Sequence, residues 1–345
     1  MKVDFKAAVP GWVAGRVLVA VGWFVARVAV DVRRDGILPA PMVQGLFAWD
    51  GSYYRDIARI GYEATGLDSV RFFPLYPLLG RGTLGLLLLS NLGALVGAAL
   101  VHRLVREEFG DADLARRAAV LVGILPPSFV LAWAYAEGVF LPLAAGQLLA
   151  LRHRRWDVAA ALGVVASLTR PTGVLLAVPA AVEAWRTRRL GALVAVVAPV
   201  AGFVSFLVWV DRRFGDAFLP LRVQQDLRGD TANPVLRLLE GFGEIVTDPL
   251  GDGLHIPFVL GLIALVVVCW SRFPPAWTAL AAVTVVVSVA AGNLNSIEQY
   301  GLSAVPLVVA VAAVVGGNRW RPAAVVSSAA MVAMCALAWY GLYVP

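Results

Sequence analysis

The sequence predicts an all-α integral membrane protein, a polytopic bundle of about 11 transmembrane helices with an interfacial helix in its first outer loop. Three observations lead to this class. Of the 345 residues, 60% are hydrophobic and only 15% charged, whereas soluble domains run near half apolar and a quarter charged. The apolar residues also gather in long runs. Ala192 to Val210 reads ALVAVVAPVAGFVSFLVWV, the length a bilayer crossing of about 20 residues requires. Finally, short connectors rich in arginine alternate with connectors almost free of charge, as they do when a chain weaves through a membrane.

Taken in order, the spans fall near 9–31, 83–105, 118–134, 137–151, 157–169, 173–185, 190–210, 255–271, 276–291, 302–316 and 323–343. The run from Val9 to Val30 is too long for a signal-peptide core and lacks a small-residue cleavage site, so it reads as a retained span. The pair around 157–185 is short enough to be tilted or re-entrant. The connectors RHRR (152–155), RTRR (186–189), SR (271–272) and NRWR (318–321) share one side with Lys2 and Lys6. Those opposite, around 135, 170 and 293–300, carry Arg170 as their only basic residue. The positive-inside rule then places the N-terminus in the cytoplasm and the C-terminus outside. Lysine stands only at positions 2 and 6 while Arg, Ala, Val and Gly abound; that bias fits a GC-rich bacterial genome and hence the cytoplasmic membrane of a bacterium.

The net charge of +6 is accounted for by these orienting connectors, so no nucleic-acid partner is expected. Cys269 and Cys335 lie inside apolar runs without paired spacing, which excludes a disulfide scaffold and a cysteine metal site. His102, His153 and His255 are scattered and lack ligand spacing. There is no P-loop, no dinucleotide fingerprint and no nucleophile elbow. The expectation is one transmembrane domain over 1–345, whose long outer loops at about 32–82 and 211–254 carry the site.

The stretch AWDGSYYRDIARIGYEA (48–64) is the most informative. From Gly51 it has a helical pattern. Ser52, Arg55, Asp56 and Arg59 form one stripe, and Tyr53, Tyr54, Ile57 and Ala58 the other. A short helix with an aromatic and a charged face lies in the membrane interface. Asp50 stands just before it, where a carboxylate acts as an N-cap or as a fixed, ionised base; the two roles are compatible. In RFFPLYPLLGR (71–81) two prolines bracket aromatic residues, which argues for an extended or turning stretch. It serves as an interfacial anchor or as the wall of a groove for a lipid-linked ligand. Arg170 is either a cation snorkelling from a helix end or a bidentate donor to phosphate, with Pro171 fixing the turn and Thr172 adding a hydroxyl. Glu137, near a span end, must face water or a partner, as a sugar contact or as half of a pair with an arginine. Arg16 and Arg27, within the first span, must snorkel or pair with another span.

The order WD (49–50), GY (61–62), FFPLYP (72–77), SN (90–91), PPS…AYAE (126–137) and TRPTG (169–173) resembles the PIG-V family. That family holds the second mannosyltransferase of GPI-anchor synthesis and its bacterial relatives, within the GT-C glycosyltransferase class. SIEQYGLSAVPL (296–307) extends the resemblance more faintly. The resemblance implies a GT-C-type bundle that moves mannose from a polyprenyl-phosphate-mannose donor to a hydroxyl of a lipid or glycan acceptor at the outer membrane face. It implies Asp50 as the catalytic base. Around it, Arg170 and Arg71 would bind the donor phosphate, and Trp49, Tyr54, Asp56, Tyr76, Glu137, Thr172, Gln299 and Tyr300 would contact substrate. Members of the family often carry arginine directly before the tyrosine where Gln299 stands, which shifts the phosphate contact here to Arg170 and Arg71. The first loop has no D-x-D pair, since Asp50 is followed by Gly51 and Ser52, so a metal-dependent mechanism is not supported and no cofactor is expected, with a divalent metal between Asp50 and Asp56 left as the open alternative. A transporter or lipid flippase is the rival class, but it favours internal repeats, and none is visible.

Overall fold

The computed structural model describes residues 3–33, 36–229 and 232–345, and every regular element among them is helical. Lys2, one of the basic residues used for orientation, lies outside the described residues. A long first helix, α1 (Phe5–Arg33), is followed by three short ones: α2 (Ala40–Gln44), α3 (Asp50–Thr65) and α4 (Leu75–Gly80). Then come α5 (Thr83–Phe109), α6 (Ala112–Ile124), α7 (Glu137–Arg152), α8 (Trp156–Thr169), α9 (Ala177–Thr187) and α10 (Leu193–Phe214). The second half has α11 (Leu219–Arg228), α12 (Pro234–Thr247), α13 (Asp252–Arg272) and α14 (Pro275–Val289). It closes with α15 (Ile297–Ser303), α16 (Val305–Val314) and α17 (Trp320–Tyr340).

Five helical stretches are long and apolar enough to cross a bilayer, ending on α1, α5, α10, α13 and α17. The protein is therefore a multi-pass membrane protein. The remaining predicted spans are also helical but differ in form. The span near 302–316 is the pair α15–α16, bent by 88°. The one near 118–134 is α6 followed by a 3-10 turn, because Pro126 and Pro127 stop the α-helix. The short pair near 157–185 is α8 and α9, joined by a 3-10 segment opening at Pro171. The two long connectors are not open loops: α2 to α4 fill the first, and α11 and α12 the second.

Small residues set the closest crossings. A methyl on Gly11 would lie 2.5 Å from the carbonyl oxygen of Val120, so α1 and α6 touch backbone to backbone. Likewise a methyl on Gly138 would lie 2.2 Å from the carbonyl of Ser90, which draws the start of α7 onto α5 and fixes where its neighbour Glu137 sits. The Arg16 guanidinium turns inward and pairs with other segments. Its Nε donates to Asn91 Oδ1 at 2.9 Å and its Nη2 to the Leu131 carbonyl at 2.9 Å. Arg27 instead pairs with Asp31 at 2.8 Å, one turn away on the same helix.

Two local expectations are corrected. Asp50 is the first residue of α3 and does not cap it; Trp49 holds the N-cap position, with no side-chain cap. The RFFPLYP stretch is not wholly extended, since α4 begins directly after Pro74. Pro77 falls in its first turn, where a missing N–H leaves no helical hydrogen bond unmade.

Candidate active site

On one face of the bundle the two long connectors meet over a cleft of about 650 Å³. Six stretches line it: α2 and α3, the Arg71–Phe72 pair, the Arg170–Pro171 turn, the end of α11, the 293–300 connector, and Val344–Pro345. The arginine-rich connectors line a different pocket, with Arg152, Arg186 and Arg189 among its walls.

The floor is built from α3. Its buried stripe, Tyr54 and Ile57, faces the protein, while Ser52, Arg55 and Asp56 are half-buried and Arg59 is exposed, as the helical pattern requires. Tyr54 packs edge-on against Phe72 and Tyr76, with ring centres 4.9 and 4.8 Å away. The aromatic stretch thus forms a rigid wall behind the helix. Trp49, immediately before Asp50, has φ +56° and ψ −123°, backbone that a bulky residue adopts only under strain. Such strain costs about 1–3 kcal/mol and persists only where the surroundings hold it. Here α17 holds it: the Trp49 indole donates to the Ala338 carbonyl at 3.0 Å, and the Trp339 indole donates to the Gly45 carbonyl at 3.2 Å. Asp50 is aimed by a turn clamped from both sides.

The Asp50 carboxylate leaves 36% of its side-chain surface open, and Arg71 Nη2 stands 3.8 Å from it. No other basic group among the described residues lies within ion-pair distance of it. Burial pushes its carboxyl above the usual carboxylate range, while Arg71, Arg170 and Arg228 pull it back down. The result is a carboxylate of strengthened basicity, reached by cleft water and ringed by three guanidiniums. Arg71 lies over the Tyr53 and Phe72 rings at 5.2 and 4.6 Å. Arg170 and Arg228 both lie over Tyr300, at 5.7 and 5.2 Å. Rings on guanidinium faces fix the planes of the donor forks and leave their edges to bind oxygen.

Arg170 does not snorkel. It is 9% exposed, its Nη1 stands 2.5 Å from Glu137 Oε1, and the same nitrogen donates to Ser303 Oγ at 3.1 Å. Glu137 is 4% exposed and sits behind the arginine, away from the cleft. The alternatives left open for this glutamate therefore narrow to the pair.

Of the other residues predicted to contact substrate, Trp49, Tyr54, Asp56, Gln299 and Tyr300 line the cleft, whereas Tyr76 and Thr172 do not. Tyr76 is wholly buried and its hydroxyl donates to the Leu86 carbonyl at 2.9 Å. Thr172 lines a smaller apolar recess beside Phe140. Asp56 is engaged by Arg55 Nε at 2.9 Å. Among the described residues, no three His, Cys, Asp or Glu side chains come together as a metal-binding group.

Sequence reasoning missed three features. Arg228 ends the polar helix α11 in the second long connector and reaches the cleft. Asn293 and Asn295 line it beside Gln299. Behind Gln299, Glu298 joins His255 and Tyr343, at 2.8 Å to the ring Nδ1 and 3.0 Å from the donating hydroxyl. The second connector is pinned by Arg237, whose Nε donates to the Gly292 carbonyl at 3.0 Å and whose Nη2 pairs with Glu244 at 2.9 Å and with Asp252. The only local signal for Arg228 and Arg237 is the length of that connector.

No family model matches the chain, and no curated protein does. Among solved structures it is similar to the archaeal oligosaccharyltransferase AglB from Archaeoglobus fulgidus, in complex with an inhibitory peptide and a dolichol-phosphate. The TM-score is 0.40 at 15% identity, over 95% of this chain and 55% of that one. The chain thus spans about half the length of that protein. A likeness at this level does not establish a shared fold.

Proposed function

We propose that the protein is an inverting glycosyltransferase that moves a sugar, mannose by the motif resemblance, from a polyprenyl-phosphate donor to an acceptor hydroxyl. The observation that carries this reading is a half-open carboxylate facing three arginines in one cleft of a multi-pass membrane protein. Asp50 accepts the proton of the acceptor hydroxyl, whose oxygen then attacks the anomeric carbon. The bond that breaks joins this carbon to the phosphate oxygen, and the lipid phosphate leaves as an anion. Such a leaving group needs electrostatic stabilisation rather than a proton, and Arg71, Arg170 and Arg228 supply it. One displacement inverts the anomeric centre. A single base with a cationic site differs from the two-carboxylate pair of a glycosidase. The aromatic wall holds the reacting atoms at the bilayer surface, where the polyprenyl tail stays in lipid. In this reading the cleft opens on the extracytoplasmic face of a bacterial membrane, the chain works as one GT-C-like transmembrane unit, and the acceptor is a lipid or glycan.

A transporter is favoured by one observation, the 88° break between α15 and α16 beside the cleft. Purified protein in lipid nanodiscs, given radiolabelled polyprenyl-phosphate-mannose or polyprenyl-phosphate-glucose with a membrane extract of the host, separates the readings. Label appearing on a new product supports a transferase and identifies its sugar. Donor binding without any product in the presence of acceptor extract favours transport and overturns the transferase.

A further inference from the structure

The second large pocket of the molecule lies on the opposite face, among the basic connectors. It encloses about 540 Å³ between the ends of α7 and α9 and the start of α14. Four arginines line it, Arg152, Arg154, Arg186 and Arg189, against two glutamates, Glu108 and Glu183. The surplus is two positive charges.

Two of the arginines are spoken for. Arg152 pairs with Glu108 and also donates to the Glu107 carbonyl, and Arg186 pairs with Glu183 at 3.1 Å. The guanidiniums of Arg154 and Arg189 have no hydrogen-bond or ionic partner among the described residues. The positive-inside rule explains arginine on these connectors. It does not explain why arginines of two connectors converge on one concavity while Arg319 and Arg321, on another connector of the same face, stay outside it.

We infer that this pocket binds the headgroup phosphate of an anionic phospholipid. Guanidiniums offer paired donors to phosphate oxygens, and basic pockets between membrane helices on this side suit lipid phosphates. A lipid rather than a free anion is indicated by what flanks the pocket. Trp185 directly precedes Arg186 and Leu190 directly follows Arg189, and they are 79% and 84% exposed. An apolar residue on either side of a basic turn at a helix end matches the level where headgroups meet acyl chains. Leu148, Leu151 and Trp277 extend the apolar wall inside the pocket. This inference stands apart from the chemistry of the cleft.

The test is native mass spectrometry of the full chain released from nanodiscs of mixed phosphatidylglycerol and phosphatidylcholine. Wild type should retain phosphatidylglycerol selectively. The R154Q/R189Q variant removes two charges from exposed side chains and breaks no side-chain hydrogen bond or ion pair among the described residues, so its fold should be preserved. Its retention of phosphatidylglycerol should fall roughly thirtyfold, as expected for two lost charges at a membrane surface. The R319Q/R321Q variant, which removes as much charge from the same face, should retain the lipid like wild type. Equal retention by R154Q/R189Q, or equal loss in R319Q/R321Q, would overturn the site. Displacement of the lipid by inorganic phosphate alone would overturn the lipid assignment in favour of a free anion.

Discussion

Replacing Arg170 by methionine removes one half of an ion pair whose side chains are 10% and 5% exposed and whose atoms stand 2.5 Å apart. The carboxylate left behind has almost no access to water, and stripping a buried charge of its partner costs about 3–5 kcal/mol. Glu137→Gln is milder, since Arg170 keeps the Ser303 hydroxyl and borders the cleft; losing one charge-assisted hydrogen bond costs about 1.5–3 kcal/mol. In the double variant no buried charge remains unpaired, so the two costs should not add. Reversible unfolding of all four proteins in the same lipid gives the coupling energy, expected at 2 kcal/mol or more by the usual range for contacting pairs (about 0.5–3). Donor binding adds a second readout. R170M should weaken it by tenfold or more, while E137Q should bind donor at least as well as wild type because it frees the guanidinium for phosphate. Additive unfolding costs within about 0.5 kcal/mol, or equal loss of donor binding in both single variants, would refute this reasoning.

Three further outcomes are expected. Arg228→Ala removes one charge-assisted contact to the leaving phosphate and should raise the donor KM about tenfold or more, with thermal stability unchanged. The base must be ionised, so kcat/KM should fall as pH drops through the Asp50 pKa, which burial holds above the ordinary carboxylate range. Arg71 pulls that pKa down, so R71Q should move the acid limb of the profile to higher pH; an unmoved limb would separate the titration from Asp50. Arg237→Met strips the partner from Glu244 and Asp252 and should loosen the second connector, read as faster proteolytic cleavage within residues 229–251 while α1 to α10 stay protected.

Much of the fold was legible because its cause is compositional. Apolar runs of bilayer length become helices whatever they pack against. How many cross completely was not legible, since breaks such as Ala304 between α15 and α16 depend on packing against other helices. In the site, Asp50, Arg71 and Arg170 stood out by their positions in quoted motifs. Glu137 and Arg170 are 33 residues apart in sequence order, so no periodicity could pair them, and the glutamate's role stayed open until the geometry closed it. His255 looked solitary for the same reason: its partner Glu298 lies on another helix. Arg228 went unread because LPLRVQQDLR shows only an ordinary polar helix. The cap alternative for Asp50 came from the local pattern. A carboxylate before a helix usually caps it, but here the strained Trp49 takes that position and turns the carboxylate into the cleft.

The central claim is that Asp50 removes the acceptor proton. Transfer from the radiolabelled polyprenyl-phosphate sugar that serves as donor should be measured with wild type and Asp50→Asn in matched nanodiscs, alongside donor binding and thermal unfolding. The D50N variant should fold and bind donor as wild type does, yet transfer at least a hundredfold more slowly, the lower end of about 10²–10⁴ for a positioned base. Transfer by D50N at the wild-type rate would contradict the claim.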